Sequence, residues 1–179
     1  HKKTKIDGTA NLLLYGYGSY GNSISPSFSS TRLSLINRDI IWVTAHIRGG
    51  MERGMKWWKE GKLLNKKNTF EDYIAVAKFL IEKKYTSNKK IIGMGGSAGG
   101  LLMGAVVNQT PKLFLGIIMS VPFVDSLTTN LDHSLPLTVG EFEEFGNAKK
   151  NKEHFDYIYS YAPYNNIKKM DYPHMLITT

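Results

Sequence analysis

The pentapeptide Gly95-Gly96-Ser97-Ala98-Gly99 has residue types and a spacing that support nucleophilic catalysis. An apolar run ending at Met94 predicts a strand, and the small and apolar residues from Ala98 onward predict a helix. A turn this tight pushes its central side chain outward, and the flanking glycines remove Cβ atoms that would clash. The positive end of the helix favours a developing oxyanion. We therefore interpret Ser97 as a nucleophile. The alternative is a plain glycine turn or a phosphate cradle, but Leu101-Leu102 stand where a P-loop needs Lys-Ser/Thr.

A second candidate segment, 14–21, follows the first predicted strand and reads Leu-Tyr-Gly-Tyr-Gly-Ser-Tyr-Gly. Hydrolases with a strand–nucleophile–helix turn take a second oxyanion donor from a loop at this place. The glycines allow close backbone approach, and a tyrosine hydroxyl such as that of Tyr17 replaces a backbone N–H as donor. On the residues alone, an aromatic turn packed on the core explains the segment equally well.

Five short apolar runs predict the strands that position these residues, at 11–15, 40–45, 90–94, 115–120 and 175–178. Helical patterns lie between them at 27–37, 69–84 and 98–108, with Asn68 or Thr69 predicted to cap the second helix. A polar and acidic excursion over 125–169 precedes the last strand. This alternation predicts an α/β fold, with a mostly parallel sheet and helices on both faces.

Composition narrows the class of protein further. A length of 179 residues with a hydrophobic fraction of 42% predicts a folded domain. The chain has no cysteine, which excludes disulfides and thiolate metal sites and favours the cytoplasm; no metal or cofactor is expected. No apolar run is long enough for a membrane span or a signal peptide. The net charge is +8, but the lysines lie in scattered pairs such as Lys66-Lys67, which favours a solvated surface over a nucleic-acid site.

Six segments in one order resemble the catalytic domain of the prolyl oligopeptidase family of serine peptidases, most closely its branch that cleaves after basic residues. They are 14–21, 46–50, 66–73, 93–100, 121–125 and 137–147. The resemblance covers essentially the whole chain. It implies an α/β-hydrolase fold and an endopeptidase that cleaves short basic peptides through an acyl-enzyme.

The resemblance also implies roles for individual residues. Ser97 matches the nucleophile, while the Tyr17 hydroxyl and the backbone N–H of Ala98 match the two oxyanion donors. Glu141 and Glu143 match the acidic residues that receive the basic side chain preceding the cleaved bond. A carboxylate in a partly desolvated pocket suits this task. Without the resemblance, these glutamates would be interpreted as an acidic loop on a basic protein.

Two departures from the family pattern qualify this expectation. The stretch 24–28 carries no carboxylate where the branch has acidic residues, so the resemblance implies preference for one basic residue rather than two. The Asp and His of the triad would follow Thr179. We therefore expect a partial hydrolase domain over 1–179, without its first strands, its last strand and helix or the family's β-propeller, and almost inactive alone.

None of the five histidines is predicted to complete the triad; each is expected to be structural or solvated. They are His1, His46, His133, His154 and His174, the last at the entry of the final strand. Two alternatives stay open. The first is a carboxylesterase or an acylaminoacyl-peptidase relative, which needs no acidic pocket. The second is a non-catalytic remnant or half of a split protein, completed by the missing remainder or left to self-associate through an uncovered face.

Overall fold

The computed structural model describes residues 3–179, so His1 lies outside the described part of the chain. One five-stranded sheet runs through this range, and every pair of neighbouring strands is parallel. The strands are β1 (Leu12–Tyr15), β2 (Ile41–Thr44), β3 (Ile91–Gly96), β4 (Gly116–Ser120) and β5 (His174–Thr178), in the spatial order β2-β1-β3-β4-β5. Each predicted strand overlaps one of these, and the predicted parallel sheet is confirmed.

Seven α-helices connect or follow the strands within residues 3–179. They are α1 (Ser30–Ile36), α2 (Met55–Lys59), α3 (Lys67–Glu82), α4 (Ala98–Gln109), α5 (Ser126–Leu131), α6 (Phe142–Phe145) and α7 (Lys152–Tyr159). The predicted helices correspond to α1, α3 and α4. The polar excursion contains α5, α6 and α7, which were not predicted; α5 and α6 have only six and four residues, too few for a clear helical period. None of the described helices has both the length and the apolar character that a membrane span requires.

Helices lie on both faces of the sheet, as predicted. A Cβ placed on Gly93 would lie 3.1 Å from the Tyr73 hydroxyl of α3 and 3.1 Å from the Met103 sulfur of α4, so these two helices share one face. Trp42 belongs to the opposite face, because side chains alternate along a strand and it is one residue out of register with Gly93. The Arg32 guanidinium of α1 lies 4.9 Å from the centre of the Trp42 ring, which places α1 on that second face.

Helix α3 begins earlier than predicted, and the predicted cap by Asn68 or Thr69 is wrong. Lys66 occupies the N-cap position and makes no side-chain cap hydrogen bond. The two polar side chains bind neighbouring loops instead: the Asn68 amide donates to the Glu60 carbonyl at 2.8 Å, and the Thr69 hydroxyl donates to the Arg48 carbonyl at 2.8 Å. Tertiary contacts therefore override the local capping pattern here.

Candidate active site

Ser97 occupies a sharp turn between β3 and α4, at the carboxyl edge of the sheet. Its backbone has φ 54° and ψ −119°, a conformation that costs a non-glycine residue about 1–3 kcal/mol. Four backbone hydrogen bonds hold it there. The Ser97 N–H donates to the Ser120 carbonyl at 2.9 Å, and the Ser97 carbonyl accepts from the N–H groups of Gly100 at 2.8 Å, Leu101 at 3.2 Å and Phe123 at 3.0 Å. The residue is exposed to solvent, as the sequence predicts. A serine held this way has a hydroxyl that is accessible from solvent.

The glycines around the turn bring the second candidate segment close to it. A Cβ on Gly95 would lie 2.2 Å from the Gly99 carbonyl oxygen, so no larger residue fits between strand and helix without a backbone shift. A Cβ on Gly99 would lie 2.8 Å from the Gly16 carbonyl oxygen and 3.3 Å from the Tyr17 ring. The chain leaving β1 therefore packs directly on the first turn of α4, and Tyr17 reaches the nucleophile turn.

Two hydrogen-bond donors accompany Ser97. Burial is the main cause that raises the pKa of Tyr17, the negative charge of Glu141 adds to it, and hydrogen bonding with Ser97 acts in the opposite direction. Tyr17 therefore stays protonated at neutral pH, and its hydroxyl is able to donate a hydrogen bond. The N–H group of Ala98, at the start of α4, finds no acceptor within residues 3–179. Such a pair stabilises a negative oxygen that develops beside the serine.

The two glutamates singled out from the sequence have different surroundings. The Glu141 carboxylate accepts a hydrogen bond from the Tyr20 hydroxyl at 2.7 Å, and burial is the main cause that raises its pKa. Its partner Tyr20 has its ring 6.2 Å from the ring of Tyr17, so Tyr20 connects Glu141 to the proposed oxyanion donor. The Glu143 side chain is 73% exposed and pairs with Lys62 at 3.1 Å. A substrate-binding role of either glutamate stays a prediction, and Glu141 is the one whose hydrogen-bond partner lies beside Tyr17.

Aromatic rings connect the glutamate to the nucleophile turn, and these rings were not predicted from the sequence. The Tyr20 ring lies 6.2 Å from that of Tyr17 and 5.9 Å, edge-on, from that of Phe145. Phe145 in turn lies 5.8 Å from Phe123, whose backbone N–H binds the Ser97 carbonyl. Two sequence signals could have indicated them: Tyr20 shares a glycine-rich loop with Tyr17, and Phe123 follows β4 at the carboxyl edge.

No histidine within residues 3–179 is hydrogen-bonded to Ser97. Each described histidine has other surroundings. The His46 ring nitrogen lies 2.9 Å from the Ile24 carbonyl oxygen, and His154 accepts from the Asn147 N–H at 3.0 Å. The His133 ring lies 5.0 Å from the Phe142 ring, and His174 is the first residue of β5. The described part of the chain also contains no cluster of three or more His, Asp or Glu side chains suited to a metal ion.

Comparisons with known proteins agree with the geometry. A model of the prolyl oligopeptidase family matches residues 26–179. Protease 2 from Moraxella lacunata is 53% identical over 173 residues, which is 97% of this chain and 25% of the relative. Dipeptidyl aminopeptidase BI from Pseudoxanthomonas mexicana is 49% identical over 178 residues, covering 99% of this chain and 24% of the relative. Oligopeptidase B from Leishmania major superposes with a TM-score of 0.95 at 46% identity, over 99% of this chain and 24% of that structure.

These relatives confirm both the resemblance found in the sequence and the α/β-hydrolase fold. The chain spans about a quarter of the length of the relatives it matches. Its sheet, its strained serine turn and its matched residues lead to one conclusion: the chain belongs to the prolyl oligopeptidase family of serine peptidases.

Proposed function

We propose that this chain is the nucleophile-bearing part of an endopeptidase that cleaves short peptides after a single Arg or Lys. The observation that carries the proposal is the outward turn at Ser97, with φ 54°, beside Tyr17 and Glu141. A nucleophile, an oxyanion donor and a carboxylate for a basic side chain are the three parts such an enzyme needs at the scissile bond. The similarity to protease 2 and to oligopeptidase B supports the peptidase part of this proposal.

The proposed reaction has two stages. The Ser97 oxygen attacks the peptide carbonyl while a histidine that is not among the four described above takes the hydroxyl proton. The carbonyl oxygen becomes negative and is held by the Tyr17 hydroxyl and the Ala98 N–H. When the carbonyl re-forms, the C–N bond breaks and the leaving amine takes the proton, which leaves an acyl-serine. Water then attacks this ester, which releases the acid product and regenerates the Ser97 hydroxyl.

Specificity in this proposal comes from Glu141 and the aromatic rings beside it. A half-buried carboxylate pairs with a guanidinium through two hydrogen bonds and with an ammonium as a point charge. The rings of Tyr20 and Phe123 add a surface for the cation and for the side-chain methylenes. The stretch 24–28 brings no carboxylate for a second basic residue, so one basic residue is sufficient.

We also propose that residues 1–179 by themselves turn over peptides very slowly. Loss of the general base from a serine triad lowers the rate by several orders of magnitude, and no described histidine is bonded to Ser97. Rapid hydrolysis of an Arg-amide by the isolated chain, abolished by Ser97→Ala, would contradict this part. A cytoplasmic location belongs to the same proposal, and the lack of cysteine supports it.

The test uses the full-length protein with matched amide and ester substrates that carry either arginine or its uncharged isostere citrulline. We expect hydrolysis of the arginine amide to exceed that of the citrulline amide at least about tenfold in kcat/KM, the ratio that 1.4 kcal/mol gives. Ser97→Ala should abolish both activities. Ester hydrolysis without amide hydrolysis or arginine preference would favour the esterase alternative. A folded but inactive protein would favour the non-catalytic one.

A further inference from the structure

Lys66 is a fully buried cation outside the residues that the proposed mechanism uses. Only 1% of its surface is exposed. Its ammonium donates to the Gly18 carbonyl at 2.7 Å, to the Ser19 hydroxyl at 2.6 Å and to the Glu144 carboxylate at 3.2 Å. An ammonium has three N–H donors, so all of its hydrogen-bonding capacity is used inside the protein. The expectation of a solvated lysine pair is therefore wrong for Lys66.

The acceptors of Lys66 belong to the two segments that form the candidate site. Gly18 and Ser19 directly follow the oxyanion tyrosine, Tyr17, in the turn that leaves β1. Glu144 lies in α6, next to Glu141 at the start of that helix. Lys66 therefore links segment 14–21, which carries Tyr17, to helix α6, which begins beside Glu141. The Tyr20–Glu141 hydrogen bond of 2.7 Å links the same two segments a second time.

The pair formed by Lys66 and Glu144 is not explained by stability alone. Burial lowers the pKa of Lys66, and the charge of Glu144 opposes that effect. Buried ion pairs lose so much hydration that well-packed apolar side chains of similar volume often stabilise a fold as well or better. A pair of apolar side chains would not provide directional hydrogen bonds, which fix the relative positions of the groups that they join. The ammonium contacts two groups beside Tyr17, while the second oxygen of Glu144 accepts from the Trp58 indole at 2.9 Å.

We infer that Lys66, together with Glu144, is a positioning residue that sets the separation between the Tyr17 hydroxyl and the Glu141 carboxylate. The oxyanion and the basic side chain of one substrate then meet their partners at the same time. Lys66 stands at the start of α3, a 16-residue helix, so the contact is tied to a long element of the core. The inference rests on the proposed function, because that proposal assigns the roles of both Tyr17 and Glu141.

The experiment removes both charges together in the full-length enzyme, so that no single buried charge is left. In Lys66→Met/Glu144→Gln, methionine keeps the length of the lysine stem and glutamine keeps an acceptor for Trp58. We expect kcat for the arginine amide to fall about 10- to 100-fold, the scale that a misplacement of about 1 Å produces. In a Tyr17→Phe background the same double change should lower kcat at most about threefold, because the group it positions is already gone.

A matched control separates this role from a general effect of removing lysine. Lys67→Met alters the next residue, whose ammonium lies 5.1 Å from the Tyr157 ring and not on the Tyr17 turn. It should leave kcat within about twofold, as for an ordinary surface change. If the double variant does not fold, Ser19→Ala provides the test, because it removes one contact of Lys66 beside Tyr17 and leaves the Lys66–Glu144 pair intact: it should lower kcat about threefold or more, and this loss should shrink in the Tyr17→Phe background.

The outcomes distinguish the inference from the function on which it rests. If the parent enzyme does not cleave the arginine amide, the proposed function fails and the inference fails with it. If the parent is active but a folded Lys66→Met/Glu144→Gln enzyme keeps its kcat, only the inference fails. Only the inference fails, too, if the loss of kcat in the triple variant equals the product of the losses from the double change and from Tyr17→Phe. A purely structural role of Lys66 and Glu144 gives that result.

Discussion

Replacing Glu141 by glutamine should remove most of the selectivity for basic substrates. Within residues 3–179, two of the three glutamates in the 141–144 segment pair with lysines: Glu143 with Lys62 at 3.1 Å and Glu144 with Lys66 at 3.2 Å. Glu141 makes no such ion pair; its described partner is the neutral Tyr20 hydroxyl. Its charge therefore remains available to a substrate cation. A hydrogen bond to a charged group contributes about 1.5–3 kcal/mol, which corresponds to a loss of about 10- to 150-fold in kcat/KM.

The assay compares kcat/KM of the full-length enzyme for an arginine amide and for the matched citrulline amide. Glutamine still accepts from Tyr20, so the Glu141→Gln enzyme should keep its fold and its citrulline activity while its arginine activity falls. Glu153→Gln in α7 is the control; since that carboxylate is exposed and lies outside the 141–144 segment, we expect a change within about threefold. A Glu141→Gln enzyme that keeps the parent ratio of arginine to citrulline hydrolysis would refute the assignment.

Three further predictions concern the oxyanion donor, the glycine turn and pH. Tyr17→Phe should lower kcat about 10²- to 10³-fold with little change in KM, because the hydroxyl acts on the transition state; steady-state kinetics measures this. Gly95→Ala should destabilise the fold by about 2 kcal/mol or more in urea titrations, since its Cβ would meet the Gly99 backbone at 2.2 Å. Gly96→Ala, whose nearest contact is 3.3 Å, should cost less. Burial raises the pKa of Glu141, and the ionised form binds the cation. The ratio of arginine to citrulline hydrolysis should therefore fall as the pH drops through that raised pKa, and Glu141→Gln should abolish this pH dependence.

The nucleophile turn was predictable because its information is local. A β-rich run, two glycines, Ser97 and a helix-forming run follow one another without a gap, and this order leaves few backbone paths. The approach of Tyr17 follows from topology. Strands β1 and β3 are parallel neighbours, so the loops at their carboxyl ends meet at one edge.

The rest of the site depends on contacts between distant segments, which periodicity does not reveal. The Tyr20–Glu141 bond joins residues 121 apart, and the Lys66–Glu144 pair joins residues 78 apart. Lys66 looks like half of an ordinary lysine pair until the turn after β1 packs over it. For the same reason, the role of Glu141 could be predicted only from the resemblance to a family. Its local sequence is equally typical of an acidic surface loop on a basic protein.

The most direct test of the account is the reaction of the full-length protein with a fluorophosphonate, followed by peptide mapping in a mass spectrometer. We expect one adduct on Ser97, absent in Ser97→Ala and formed more slowly in Tyr17→Phe, with arginine-amide hydrolysis lost in step with labelling. An adduct on another residue, or hydrolysis that persists in Ser97→Ala, would contradict the assignment of the nucleophile.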